Sequence, residues 1–400
     1  MSIEHRKVSK TVTFKDGAGN PLSNAEISVK QTNHEFLFGC GGFDFIPYVM
    51  SDGEKNGEVA KSWLEIFNYA TLPFYWGGYE QKEGEPNKDT LMKTASYLKD
   101  KGVTVKGHPL CWHTGCADWL MNYDNATILD KQLKRIDREV TGFKGFIDMW
   151  DVINEVVIMP IFDKYDNAIT RICKEKGRVG LIKAVFERAH AANPDAVLLL
   201  NDFNTSINYE ILIDGCLNAG VPISAIGIQS HQHQGYWGSE KVYEVLERFS
   251  HFGLPIHFTE NTLISGDIMP GHIVDLNDWQ VDEWPSTPEG EERQSREIEE
   301  MYRILFENPL VKAITTWDFK DGAWLKAPSG YLRLDDSRKP SFEMLKKLVK
   351  EEWWTDTKVV TDSEGKAKIE AFKGDYSIEC AGKKADVRLT DDDCDLITLK

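Results

Sequence analysis

Eight short apolar runs, at 36–43, 69–75, 104–112, 148–155, 196–204, 225–231, 255–260 and 313–319, recur along this chain, and a stretch of helical periodicity follows each. The runs are mostly continuous rather than alternating, as strands buried on both faces require. The intervening stretches (54–67, 89–101, 126–140, 174–193, 209–219, 239–252, 289–306 and 341–352) place apolar residues three and four apart with charged residues opposite. Gly102, Gly220 and Gly253 stop three of them just before the next strand. Eight alternations of strand and helix predict an α/β chain whose parallel strands close into a (β/α)8 TIM barrel over 34–354.

The two ends stand outside that alternation. Residues 10–30 read as two strands, 11–14 and 25–29, around the turn-rich 16–21. Residues 355–400 read as short strands at 359–361, 367–372, 374–378 and 387–389. Neither end is large enough for a stable core alone. They are therefore expected to fold together, 1–33 and 355–400 forming one accessory β-sandwich with the barrel inserted between its halves, which the closeness of domain termini permits. The segments VTFKDGAGNPLSNAEISVK and VVTDSEGKAKIEAFKGDYSIE resemble the two halves of a carboxypeptidase-regulatory-like β-sandwich. That resemblance implies no catalysis. Phe14, Phe372 and Tyr376 are about what a small core needs, so a structural role is expected.

Composition narrows the partners. A net charge of −17 lacks the lysine and arginine excess that nucleic acid or an anionic membrane would demand, so no nucleic acid and no membrane is expected as partner, and a neutral substrate fits better. No run approaches the roughly 18 apolar residues of a membrane span, and the first ten residues have no apolar core of a leader. Seven cysteines (Cys40, Cys111, Cys116, Cys173, Cys216, Cys380, Cys394) are odd in number, scattered and without a C-x-x-C pair. A reduced, cytoplasmic protein is the expectation for the chain as given; a secreted protein with its leader removed is the alternative. Oligomeric state is not written in these features.

Two of the apolar runs end in a carboxylate, Glu155 and Glu260. The C-terminal ends of barrel strands open onto one face, where two such groups can converge on a single bond. Cleaving a glycosidic bond needs an acid for the leaving oxygen and a second carboxylate for the anomeric carbon. Glu155 follows Val152 and Ile153, surroundings that desolvate a carboxyl and raise its pKa, which suits the acid; Glu260 is then the nucleophile. A rival class is a metal-dependent barrel hydrolase: His108, His113, His231 and His233 all fall near strand ends. However, His231-Gln-His233 is the only H-x-H pair and no H-E-x-x-H is present, so no metal or other cofactor is expected.

The neighbouring motifs carry a second resemblance. Gly107-His-Pro-Leu-Cys-Trp-His113, Trp150-Asp-Val-Ile-Asn-Glu155, Asn201-Asp-Phe-Asn204, Gly227-Ile-Gln-Ser-His231, Phe258-Thr-Glu260 and Thr316-Trp-Asp-Phe-Lys-Asp-Gly-Ala-Trp324 resemble, in order and strand position, the signatures of family 10 glycoside hydrolases, the retaining xylanases. The resemblance spans 36–350. It implies double displacement at β-1,4-xylosidic bonds of xylan or xylo-oligosaccharides, with Glu155 as acid/base and Glu260 as nucleophile. It further implies that Asn154 bonds the sugar 2-hydroxyl, that His231 aligns Glu260, that His113 and Gln229 contact the same sugar, and that Trp317 and Trp324 form its floor and wall. Two departures stand out. The family's N-E-x-K-W segment after the second strand is replaced by Phe74-Tyr-Trp-Gly-Gly-Tyr79, and Gly115 stands where a glutamine is usual. The outer glycone site is therefore expected to be rebuilt, with Tyr75, Trp76 and Tyr79 as stacking platforms, and a β-glycosidase of other specificity remains an alternative.

Overall fold

A computed structural model describes residues 2–392 and 395–400, so the expectation for Cys394 lies outside the described residues. Strands β1 (Lys7–Asp16) and β2 (Glu26–His34) precede the barrel, whose strands are β3 (Leu37–Gly41), β4 (Tyr69–Pro73), β5 (Thr104–His108), β6 (Met149–Asn154), β7 (Val197–Asp202), β8 (Ala225–Ile228), β10 (Ile256–Leu263) and β11 (Val311–Thr316). Each pairs in parallel with its neighbour, and β11 closes the ring by pairing with both β3 and β10. The two-residue β9 (His231–Gln232) adds to β10 at Thr262 and Leu263. The predicted (β/α)8 barrel is the observed one.

Local chemistry explains the elements. Every residue of β6 and of β10 is buried, because a barrel strand faces the packed interior on one side and the helical layer on the other. The helix Asn125–Gly142 starts where the Asp124 side chain accepts a bond from the backbone N–H of Thr127, and Pro288–Glu307 starts where Thr287 does the same for Gly290. Gly227 makes room for a neighbouring strand's side chain. A Cβ there would lie 2.4 Å from Oδ1 of Asn201, so only glycine lets that amide cross toward the barrel axis.

The two ends form the expected pair of sheets. β12 (Asp356–Val360), β13 (Lys366–Phe372), β14 (Gly374–Cys380), β15 (Lys383–Leu389) and β16 (Leu396–Leu399) combine with the first two strands in the orders β13-β1-β16 and β12-β2-β14-β15. β1 runs antiparallel to β13 with Val12 opposite Ala367, and β2 lies between β12 and β14. Val12, Phe14, Ile27, Val29, Ile369, Ile378 and Leu399 fill the space between the sheets. Arg6 ties this unit to the barrel, its Nε donating to the carbonyl of Phe306 and its Nη2 to those of Asn308 and Val311.

Three details differ from the sequence reading. The stretch 174–193 is two helices, Ala168–Lys176 and Arg178–Ala192, broken at Gly177, whose φ of 71° is outside the helical range. The run 225–231 breaks after Ile228 before β9 resumes. β16 has no counterpart among the predicted strands: four residues carry too short an alternation to be read without the partner strand β1, on which Ile397 and Leu399 become buried.

Candidate active site

Glu155 stands one residue beyond β6, held at a φ of 57° by a bond from its backbone N–H to the carbonyl of Asn201. Non-glycine residues adopt that left-handed conformation rarely, at a cost of about 1–3 kcal/mol, and it turns the side chain into the barrel mouth. Its Oε2 accepts from the indole N–H of Trp112 at 2.9 Å and its Oε1 from the Gln229 amide at 3.2 Å. Burial, joined by the negative field of Glu260, pushes its pKa up to about 8. The opposite holds for Glu260, which lies within β10. Burial alone would raise that carboxyl, but the positive field of His108 and the hydrogen bond from His231 outweigh it and hold the group below the usual carboxylate range.

Three side-chain amides connect the two carboxylates. Gln229 Nε2 donates to Glu155 and, at 3.1 Å, to Oδ1 of Asn154; Asn201 Nδ2 donates to that same Oδ1 at 2.8 Å and to Oε1 of Glu260 at 2.7 Å. Asn201 Oδ1 is itself fixed by the hydroxyl of Thr259. This leaves Nδ2 of Asn154 buried without a partner among the described residues, a donor beside both carboxylates. An unmade bond of this kind costs about 1–3 kcal/mol, which a sugar hydroxyl can recover.

Behind Glu260 lies a charged relay. His231 Nε2 sits 3.0 Å from Oε2, with its Nδ1 3.1 Å from the Thr262 hydroxyl. His108 Nδ1 sits 3.9 Å from Oε1 and 2.7 Å from Asp151, which also pairs with the buried ammonium of Lys106 at 2.6 Å. Asp151 stays low in pKa despite full burial because Lys106 and His108 both favour its anion. Aromatic rings enclose the pair. Trp317 packs edge-on to His108 and His231, Trp324 lies 4.7 Å from the His231 ring, and Tyr75 packs 5.7 Å from both His108 and Trp112.

The structure thus gathers Asn154, Glu155, Gln229, His231, Glu260, Trp317, Trp324 and Tyr75. His113, Trp76 and Tyr79 differ. His113 is buried with its ring 4.6 Å from Phe162 and its Nδ1 unpartnered, and no hydrogen bond joins it to either carboxylate; burial drives its pKa down to about 4. Two histidines face Glu260, His231 at 3.0 Å and His108 at 3.9 Å. Trp76 faces inward, its N–H on Glu80 and the Arg135 guanidinium 4.9 Å from its ring, and the buried Tyr79 donates to Glu139. Both rings are largely buried, whereas Tyr75 packs beside His108 and Trp112 at the carboxylates. His108, weighed in the sequence only as a metal ligand, joins Trp112 and Asn201 as functional candidates to which no role at the carboxylates was assigned. All three stand in motifs already singled out, but spacing alone cannot show which side chains of a motif reach the carboxylates.

The loops after β6 and β10 are joined. Lys164 pairs with Asp275 at 2.6 Å and Asp278 at 2.7 Å, and Gln234 anchors the second loop by donating to the carbonyls of Pro270 and Ile273. Since β7 and β8 lie between those strands, the clasp spans their ends. Among the described residues no group of three His, Cys, Asp or Glu is arranged to hold a metal, the six described cysteines are free thiols, and no helix is long and apolar enough to cross a membrane.

Comparison with known proteins places this architecture. The family model Glycosyl hydrolase family 10 matches residues 73–346. Endo-1,4-beta-xylanase/feruloyl esterase of Xylanibacter ruminicola is 25% identical over 322 residues, 72% of this chain and 42% of that protein. Endo-1,4-beta-xylanase B of Thermotoga neapolitana is 27% identical over 288 residues, 68% of this chain and 75% of that protein. The anti-sigma-I factor RsgI6 of Acetivibrio thermocellus is 22% identical over 386 residues, 94% of this chain and 45% of that protein. The chain thus spans less than half the length of the first and third of these relatives. In fold, it matches xylanase 10B from Thermotoga petrophila RKU-1, solved with xylobiose, with a TM-score of 0.65 at 22% identity, covering 80% of this chain and 95% of that one. With the family model spanning well over half of its residues, this chain belongs to glycosyl hydrolase family 10.

Proposed function

We propose that the protein is a retaining glycoside hydrolase that cleaves β-1,4-xylosidic bonds of xylan or xylo-oligosaccharides by double displacement. The observation that carries this reading is the divergence of two neighbouring carboxyls, Glu155 raised to about 8 and Glu260 held low. One is an acid at neutral pH, the other an anion. Glu260 attacks the anomeric carbon while Glu155 protonates the departing oxygen; a water then attacks the glycosyl-enzyme as Glu155 takes its proton. The role reversal has a physical source. Once Glu260 is esterified its charge is gone, the field that raised Glu155 falls, and the same carboxyl becomes a better base.

Support for xylose comes from the wall. Trp317 and Trp324 crowd the sugar position beside His231, where a hydroxymethyl group would need room. The relatives named as endo-1,4-beta-xylanases agree with this substrate class. On the glycone side the usual lysine and glutamine are absent, and Tyr75 reads ring faces rather than hydroxyls. Two lost polar partners weaken that side by about 1–3 kcal/mol each. Short or decorated xylo-oligosaccharides are therefore favoured over smooth xylan. The test follows the anomeric proton signal of the first-formed product from xylotetraose by NMR: a β-product supports retention, whereas an α-product, or no cleavage of any xyloside, refutes the reading.

A further inference from the structure

A second, positively charged cavity lies on the opposite face of the molecule. Its volume is about 230 Å³, and Arg6, His34, Glu35, Phe36, Leu37, Phe306, Lys312 and Lys373 line it. Leu37 and Lys312 stand where β3 and β11 begin, so the cavity is at the end of the barrel remote from Glu155 and Glu260, in the seam between barrel and sandwich.

Three cations meet there in a chain of net charge −17. Arg6 commits Nε and Nη2 to backbone carbonyls, while its Nη1 makes no hydrogen bond to the described residues. Its plane rests on the rings of Phe36 and Phe306, at 4.6 and 5.0 Å. Lys373 pairs with Asp391, and Lys312 has no ion pair among the described residues. Glu35 is the only carboxylate in the lining. Burial, then Arg6 and Lys373, make the charged form of Lys312 harder to keep and Glu35 offsets only part of this, while His5 beside the cluster is depressed by burial and the same cations. Such repulsion is a cost to the fold unless an anion relieves it. The cavity is far larger than the roughly 10–15 Å³ that one water requires.

We propose that this seam cavity binds a small oxyanion, a sugar carboxylate or a phosphate, through Arg6, Lys312 and Lys373, with Phe36, Leu37 and Phe306 as its apolar wall. Binding there draws on the sandwich (Lys373), the leading segment (Arg6) and the barrel (Lys312) at once, so occupancy fastens the accessory unit to the catalytic one.

The experiment measures thermal unfolding and titration calorimetry of the full chain with glucuronate, inorganic phosphate and xylose, each against sodium chloride of equal ionic strength. At a hundredfold excess over Kd, a one-site ligand should raise Tm by at least about 2 °C. Saturation at one site per chain is expected for glucuronate, phosphate or both, and none for xylose. Glucuronate alone identifies a sugar acid as the ligand, phosphate alone a phosphate. Lys312→Glu should weaken binding tenfold or more, Lys312→Gln should weaken it less, and Lys55→Glu, a distant charge-matched control, should leave it unchanged. Shifts no larger than those of sodium chloride, or binding retained in both Lys312 variants, would overturn the proposal.

Discussion

Glu155 and Glu260 are the same side chain in two fields, and that difference governs what can be measured. Glu260→Ala is expected to abolish turnover of every glycoside, while Glu155→Ala should spare the first step for aryl glycosides whose leaving groups need no proton. The pH profile of kcat/KM should be a bell whose alkaline limb lies near 8, where Glu155 ionises, and whose acid limb lies below the usual carboxylate range. His108→Ala removes a positive field from Glu260, so the acid limb should move to higher pH; an unmoved limb would show that His108 acts only through packing. Stability tests the same assignment with opposite signs. Glu155 has a raised pKa in the folded state, so its contribution is present below about 4.5 and is lost as pH rises through about 8. Glu155→Gln should accordingly melt on the order of a few degrees above the parent at pH 9 and show little gain at pH 4. Glu260, held low, contributes above the ordinary carboxyl range and loses that contribution as pH falls through its depressed value, so Glu260→Gln should melt below the parent at pH 7. The glutamates were legible because each closes an apolar strand run. His108 was not, since its role depends on Asp151 and Lys106 behind it, which only the closed barrel brings within 2.7 Å.

At the scale of elements, strands were easier to read than loops. A strand buried on both faces announces itself by continuous apolar residues, as in Met149–Asn154, whereas the loop after β10 owes its path to contacts with Gln234, Lys164 and the apolar set of Ile264, Met269, Trp284 and Ala327. The aromatic segment depends on similar contacts: Phe74-Tyr-Trp-Gly-Gly-Tyr79 shows three candidate rings, and the bond of Trp76 to the nearby Glu80, the bond of Tyr79 to Glu139 and the Arg135 guanidinium beside Trp76 fix how two of them lie. The clasp between loops gives an element-scale prediction. Lys164 and its two aspartates are partly exposed, so each pair is worth no more than about 1 kcal/mol and Lys164→Ala should barely change Tm. Its effect should appear in specificity, as a higher ratio of activity on polymeric xylan to activity on aryl xylobioside, because the loops it joins span the ends of β7 and β8. An unchanged ratio would mean that the clasp does not confine the substrate.

At the scale of the whole molecule, the ends of the chain form one unit that neither could form alone. Deleting 355–400 should leave β1 and β2 without β13, β12 and β14, exposing Val12, Phe14, Ile27 and Val29; a rise in binding of an apolar dye and loss of a single cooperative transition are expected, and a truncated chain that melts like the parent would refute the division 1–33, 34–354 and 355–400. What the amino-acid sequence determined by itself was whatever depends on neighbours a few residues apart: the eight strand and helix periods, the glycine stops of three helices, and the two carboxylates that close apolar runs. Those features arise from local burial and backbone geometry, which the chain carries wherever it goes. Tertiary structure alone decided the left-handed turn that aims Glu155, the amide chain through Asn154, Asn201 and Gln229, and the placing of His108 between Asp151 and Glu260. Each requires side chains from different strands to meet at the barrel mouth, and the fields that separate the two carboxyls exist only when burial and closure have brought those charges together.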